Sequence, residues 1–249
     1  MYLPQPSPVY EYGTMKESAP QFGEAAQATA GALSRIAVLT SGGLDSAVLV
    51  AEAARRYDAV FPIYIRSGLA WEEVELEHLR RFLASIRTRS LQDLVVMDMP
   101  VRDLYGEHWS LTSANVPDAA SEDSAVYLPG RNLLLMLKAM IWCQLHEAPL
   151  LALGLLKGNP FPDATPGFFT SFQHAVNAGI EGSVRIVRPF SELRKVDVIR
   201  LGSTLPLEWS FSCINPQHGR HCGRCNKCAE RRRAFEAAGI SDPTAYAME

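Results

Sequence analysis

From Arg35 onward, short apolar runs alternate with longer stretches in which apolar and charged residues recur at helical spacing. Arg35-Ile-Ala-Val-Leu-Thr40 is too short for a helix and apolar without a break, the pattern of a strand buried on both faces. Similar runs at Ala59–Ile65, Asp93–Asp98, Pro149–Gly154 and Val184–Pro189 predict four more strands. Between them, Asp45 to about Arg56, Trp71–Ile86, Arg131–Glu147, about 168–178 and part of Ser191–Leu205 carry the helical period. The stretches 107–126 and Lys157–Gly167 carry neither period and read as loops. Strand–helix alternation of this kind predicts an α/β fold. Its expected form is an open parallel sheet of about five strands with helices on both faces. Ligands of such sheets bind at the carboxyl ends of the strands, so the loops at Ser41 and Lys157 should share one edge.

Residues 1–34 are rich in Pro, Ser, Gly and Ala and read as an N-terminal arm, with a short Ala-rich helix near 23–33. The expected division is this arm, a sheet domain over 35–205 and a cysteine-bearing segment over 206–249. With 47% hydrophobic and 20% charged residues, the composition excludes a disordered chain. A formal net charge of -3 gives no sign of nucleic-acid binding. No apolar run is long enough to cross a membrane and no signal-peptide pattern opens the chain, so the expected location is cytoplasmic.

Candidate chemistry begins where the first strand ends, at Thr40-Ser-Gly-Gly-Leu-Asp-Ser46. Gly42 and Gly43 bring backbone N–H groups close together at the positive end of the next helix, which makes an anion cradle. The hydroxyls of Ser41 and Ser46 add donors. Asp45 would repel a phosphate, so it either holds Mg²⁺ or caps the helix. The loop lacks the Gly-Lys-Ser/Thr ending of a Walker-type site and the spacing of a dinucleotide fingerprint.

Four of the five cysteines lie within sixteen residues, as Cys213-x8-Cys222-x2-Cys225-x2-Cys228. Four thiolates at this spacing suit a closed tetrahedral Zn²⁺ site, and an iron–sulfur cluster is the competing occupant. His218 and His221 then read as exposed loop residues and Arg231-Arg-Arg233 as a solvated helix face. Cys143, alone in an apolar stretch, reads as a core residue.

The string Ser-Gly-Gly-x-Asp-Ser after a strand resembles the PP-loop of the ATP pyrophosphatases, whose fold is adenine-nucleotide α-hydrolase-like. Those enzymes adenylate an oxygen, release pyrophosphate and let a nucleophile displace AMP. Together with the cysteine spacing, the chain looks like the 7-cyano-7-deazaguanine (preQ0) synthase family of queuosine biosynthesis. Leu128-Pro-Gly-Arg-Asn132, Lys195-Val-Asp-Val-Ile-Arg-Leu-Gly202, Trp209-Ser-Phe-Ser-Cys213 and Asp242-Pro243 match segments of that family, and the likeness covers about 35–243. It implies a ligase that converts 7-carboxy-7-deazaguanine and ammonia to the nitrile through adenylated intermediates, with ATP, Mg²⁺ and Zn²⁺. Carried across, Ser41, Gly42, Gly43, Leu44, Asp45 and Ser46 hold the triphosphate and Mg²⁺. Asp45 and Arg131 are the expected catalytic residues, and Arg131, Asn132 and Asp163 the expected contacts to the deazapurine-like substrate. For Arg131 the alternative is a surface ion pair, for Lys195 an exposed lysine instead of a phosphate contact, and for Asp163 a turn cap. The likeness also implies a homodimer.

Two segments depart from the family pattern. Arg66-Ser-Gly-Leu-Ala-Trp71 differs from its usual Gly-Gln-x-His, and in Lys157–Phe168 the usual Arg and Glu are replaced by Thr165 and Gly167. The alternatives are therefore an adenylating enzyme with another acceptor, or an inactive nucleotide-binding homologue.

Overall fold

A computed structural model describes residues 21–22 and 34–247, so the expected helix near 23–33 and most of the arm lie outside the described residues. The five strands are β1 (Arg35–Leu39), β2 (Ala59–Arg66), β3 (Val95–Asp98), β4 (Leu150–Leu153) and β5 (Arg185–Val187). All pair in parallel, in the order β3-β2-β1-β4-β5. Leu39 is level with Ile63 on one side and Leu153 on the other, so β1 and β4 end together while β2 runs three residues further, to Arg66. The strand order reverses between β1 and β4, which opens a crevice above their carboxyl ends.

The helices are α1 (Leu44–Ala54), α2 (Glu72–Ser85), α3 (Arg102–Tyr105), α4 (Trp109–Thr112), α5 (Arg131–Leu145), α6 (Pro166–Ile180), α7 (Lys195–Leu201) and α8 (Asn226–Ala238). Side chains alternate along each strand, so two cores form. Ile36, Val38, Val60 and Ala152 pack one face against α1, α2, α7 and α8, while Ala37, Ile63, Ile65 and Leu151 pack the other against α5 and α6. Cys143 is fully buried in the second core, as expected, and burial pushes its thiol up to about 12.

The stretch 107–126 lacks a long period but holds α4 and a 3-10 turn at Asp123–Val126. It is pinned to the cysteine segment. Asn226 N donates to Pro117 O at 3.0 Å, and Asn226 Nδ2 donates to Ser121 O at 2.7 Å. In the stretch before α6, Thr165 accepts a bond from Phe168 N at 3.3 Å, so one of the two residues that depart from the family pattern there is the helix N-cap.

The turn between β2 and α2 hangs on one carboxylate. Glu72 Oε2 accepts from Ser67 N at 2.8 Å, Gly68 N at 2.7 Å and Leu69 N at 3.0 Å, and Oε1 accepts from Arg66 Nε at 3.1 Å. Ser67 and Leu69 are buried, so without Glu72 their N–H groups lose their protein acceptor. Glu72→Ala should cost about 3 kcal/mol of stability, read as a lower midpoint in urea unfolding. An unchanged midpoint would show that the turn is held by other contacts.

Candidate active site and metal centre

The loop from Ser41 to Ser46 joins β1 to α1 and is closed by its own hydroxyls. Ser46 Oγ donates to Gly43 O at 3.0 Å, Ser41 N donates to Ser46 Oγ at 3.3 Å, and Gly43 N donates to Ser41 Oγ at 3.4 Å. Gly42 has a φ of +74°, and a Cβ there would come within 3.2 Å of Glu75 Cγ and Glu75 O. Another residue would be strained by its backbone and crowded by α2. Gly154, at the end of β4, lies so near the start of α1 that a Cβ would meet Ser46 N at 3.3 Å. The loops after β1 and β4 thus share one edge, as the strand alternation predicts.

Asp45 is not the helix cap. The N-cap is Gly43, with no side-chain cap, and Asp45 lies in the first turn of α1. Its Oδ2 accepts from Lys195 Nζ at 2.7 Å, and Lys195 lies 3.5 Å from Glu230. Lys195 is therefore half-buried at the start of α7 and not an exposed helix lysine. Burial alone would lower its pKa, but Asp45 and Glu230 hold it above the ordinary lysine value. Against the upward push of burial, Lys195 and Lys227 hold Glu230 down at about 2. Asp45 Oδ1 is buried with no hydrogen-bond partner. A bare carboxylate oxygen at a phosphate loop fits a hard cation such as Mg²⁺.

Two cavities meet at this loop. The larger, about 430 Å³, runs from the loop past Lys157–Phe161 to Phe211 and Ile214. The smaller, about 170 Å³, lies over the ends of β1, β2 and β4. Ser41, Asp45, Glu75, Arg131, Gly154 and Leu155 line both. Arg131 opens α5 after Gly130, and its Nε is buried without a hydrogen-bond partner, a planar cation suited to a carboxylate or phosphate. Glu75 was not among the residues expected at the site, because it reads as one more acid on an amphipathic helix. It is 6% exposed, and Tyr64 Oη donates to its Oε2 at 2.7 Å.

Asn132 lines the smaller cavity, whereas Asp163 lines neither. Asp163 Oδ2 accepts from Asn132 N at 3.3 Å and Asp163 O from Asn132 Nδ2 at 3.3 Å. The two brace each other at the start of α5.

The four sulfurs of Cys213, Cys222, Cys225 and Cys228 lie within 4.8 Å of one another and are all buried. Cys213 Sγ is 3.9 Å from Cys225 Sγ, and Cys222 Sγ is 4.0 Å from Cys228 Sγ. Sulfurs about 2.3 Å from a central zinc stand about 3.8 Å apart at the corners of a tetrahedron, so the four fit one ion. Backbone N–H groups of Asn215, Cys222, Arg224 and Cys225 point at the sulfurs, as thiolates require. The segment also reaches the phosphate loop, where Phe211 N donates to Gly42 O at 2.7 Å.

This pairing of an Asp-bearing glycine loop with a four-cysteine segment has a counterpart among known families. The model for queuosine biosynthesis protein QueC matches residues 35–239. The chain belongs to the QueC family. A 7-cyano-7-deazaguanine synthase from Acidobacterium capsulatum is 34% identical over 225 residues, 86% of this chain and 96% of that one. The synthase of the same name from Pseudomonas fluorescens is 32% identical over 223 residues, 85% of this chain and 98% of its own. A 4-thiouridine synthetase solved with RNA and ATP is 16% identical, covers 82% of this chain and 50% of its own, and gives a TM-score of 0.48, too low to add to the QueC assignment.

Within the QueC match, two residues differ from their sequence reading. His221 is buried, not exposed, and its Nε2 accepts from Ser212 N at 3.1 Å. His218 is exposed. Arg231 is buried, not solvated. It donates to Ser210 Oγ and Leu207 O at 2.9 Å and to Thr244 Oγ1 at 2.6 Å, while Arg232 and Arg233 stay exposed. These bonds tie α8 and the chain after it to the segment leading into the cysteines. Both side chains satisfy backbone or hydroxyl groups of segments that would otherwise be buried unpaired. No helix among the described residues is long and apolar enough to cross a membrane.

Proposed function

We propose that this QueC-family chain is an ATP-dependent carbon–nitrogen ligase that converts 7-carboxy-7-deazaguanine and ammonia to 7-cyano-7-deazaguanine. The observation that carries this reading is the meeting of two cavities at the loop that holds Asp45. Nucleotide and acceptor can enter from different sides and bring the α-phosphate and the carboxylate together there. Ser41, Gly42, Gly43, Leu44 and Ser46 hold the phosphates by backbone and hydroxyl donors. Asp45, with its open Oδ1, holds Mg²⁺. The ion supplies charge neutralisation on the phosphates. Arg131 binds the acceptor carboxylate or the α-phosphate, and its charge offsets what builds up as pyrophosphate leaves. Asn132 orients the base of the bound molecule, and Asp163 acts through Asn132. The four cysteines hold structural zinc.

In the overall reaction the carboxylate is adenylated, ammonia displaces AMP to give the amide, and a second adenylation of the amide oxygen leads to the nitrile. Zinc-loaded protein with ATP, Mg²⁺, ammonium and 7-carboxy-7-deazaguanine should yield amide and nitrile masses. Absence of both overturns the substrate assignment. A second reading, a different carboxylate acceptor, is favoured by Lys157 and Gly158, which stand where the family usually carries an Asp-Tyr pair and which line the larger cavity. Pyrophosphate release with another acid, and none with the deazaguanine, would select it.

The expected homodimer has a candidate surface. Leu133, Leu137, Ile141 and Leu145 recur every fourth residue along α5 and are all exposed, Leu145 at 74%. An apolar stripe on an otherwise polar surface suits a second copy of the chain. Sedimentation should give a dimer for the wild type and a monomer for Leu137→Lys. A wild-type monomer overturns this assignment.

A further inference from the structure

Among the described residues, Glu75 is the one carboxylate besides Asp45 that lines both cavities, and Asp45 already faces Lys195. Building on the ligase reading, we propose that Glu75 is the base that takes a proton from ammonium at the junction of the cavities, so that the nitrogen attacks as ammonia. Its place follows from packing. α2 leans on the phosphate loop closely enough that Glu75 Cγ and Glu75 O would lie 3.2 Å from any Cβ at position 42. The carboxylate therefore stands beside the phosphates, near the atom that is to be attacked. Tyr64 Oη holds Oε2 at 2.7 Å and fixes the direction of the group.

The groups that act on it come from three elements. Burial is the largest influence and raises the pKa. Tyr64 on β2 and Arg131 on α5 lower it, Glu72 on α2 raises it, and a hydrogen bond to Trp71 lowers it. The net position is about 7, so near neutral pH the group both accepts and releases a proton. Tyr64 itself is pushed upward by burial and by Glu75, so it remains a donor.

The step balances without another reactant. Glu75 carboxylate and ammonium give the carboxylic acid and ammonia. The nitrogen lone pair forms the C–N bond to the adenylated carboxyl carbon. The C–O bond to AMP breaks with its electron pair on the phosphate oxygen, and the extra proton on nitrogen goes to water. A buried carboxylate also draws the ammonium cation into a site otherwise rich in fixed positive charge, from Arg131, Lys157, Lys195 and Arg194.

The test compares ammonium with hydroxylamine, which is a neutral nucleophile at neutral pH and needs no such deprotonation. In Glu75→Gln, kcat/KM for ammonium should fall about 10²-fold or more relative to kcat/KM for hydroxylamine in the same protein. An unchanged ratio overturns the proposal. The wild type supplies a measurement that does not depend on the variant folding. Its kcat/KM for total ammonium should fall below about pH 7 and change by no more than about twofold from pH 7 to 8. A climb of about tenfold over that unit, the slope of free ammonia, overturns it as well. Wild-type protein that forms product with neither nucleophile contradicts the ligase reading, not the role of Glu75 within it.

Discussion

Asp45→Asn should lower turnover by about three orders of magnitude while leaving the fold intact. The substitution keeps the size of the side chain and one oxygen. It removes the charge that faces Lys195 at 2.7 Å and that the unpartnered Oδ1 offers to a cation. A neutral amide oxygen is a weak ligand for a hard ion, and Mg²⁺ is poorly replaced by direct protein contacts to phosphate. Lys195 would still have Glu230 at 3.5 Å, so it need not leave the site. The loss should therefore appear in turnover and in the Mg²⁺ concentration needed for half-maximal rate, with little change in thermal midpoint. A variant that turns over at the wild-type rate contradicts the metal-holding role of Asp45.

Cys222→Ser should have the larger effect on the protein as a whole. Cys222 Sγ accepts from Arg224 N at 3.4 Å and from Cys225 N at 3.3 Å, and it stands among the other three sulfurs. Structural zinc contributes roughly 10–16 kcal/mol in small peptides, comparable to or above the roughly 5–15 kcal/mol stability of a whole domain. Losing it should loosen the segment around the cysteines and, with it, the bond from Phe211 N to Gly42 O. Three readings should move together: metal content falls from one zinc per chain, the cysteine segment becomes sensitive to protease, and ATP affinity drops at least tenfold. Cys143→Ser, in the opposite core, should leave metal content unchanged. Equal zinc in Cys222→Ser and wild type would remove Cys222 from the ligand set.

The five strands were legible because buried parallel strands are short continuous apolar runs, and the glycine loop and cysteines because their chemistry is local. Edges were less so. β3 begins at Val95, two residues into the expected run, and β5 keeps only Arg185–Val187. Both lie at the margins of the sheet, where one side has no neighbour to extend the ladder. What local pattern could not carry were contacts between distant segments. Lys195 meets Asp45 across 150 residues. Glu75 reads as the polar side of α2 until the phosphate loop is laid against it. His221 and Arg231 look solvated until the segments they bond are folded over them. A signal for Glu75 did exist in the spacing of Glu72 and Glu75, which places two acids on the buried side of α2 alongside Leu76 and Leu79.

The bond between Phe211 and Gly42 also bears on the timing of synthesis. The phosphate loop leaves the ribosome early, together with β1 and α1. Its backbone partner is 169 positions later, and Phe235 and Ala238, which complete the core over α1, follow later still. A nascent chain with β1 to β5 already made would carry the whole nucleotide motif and yet lack one wall of its cleft. Nucleotide binding should therefore arise late, when the cysteine segment has emerged and closed over the loop.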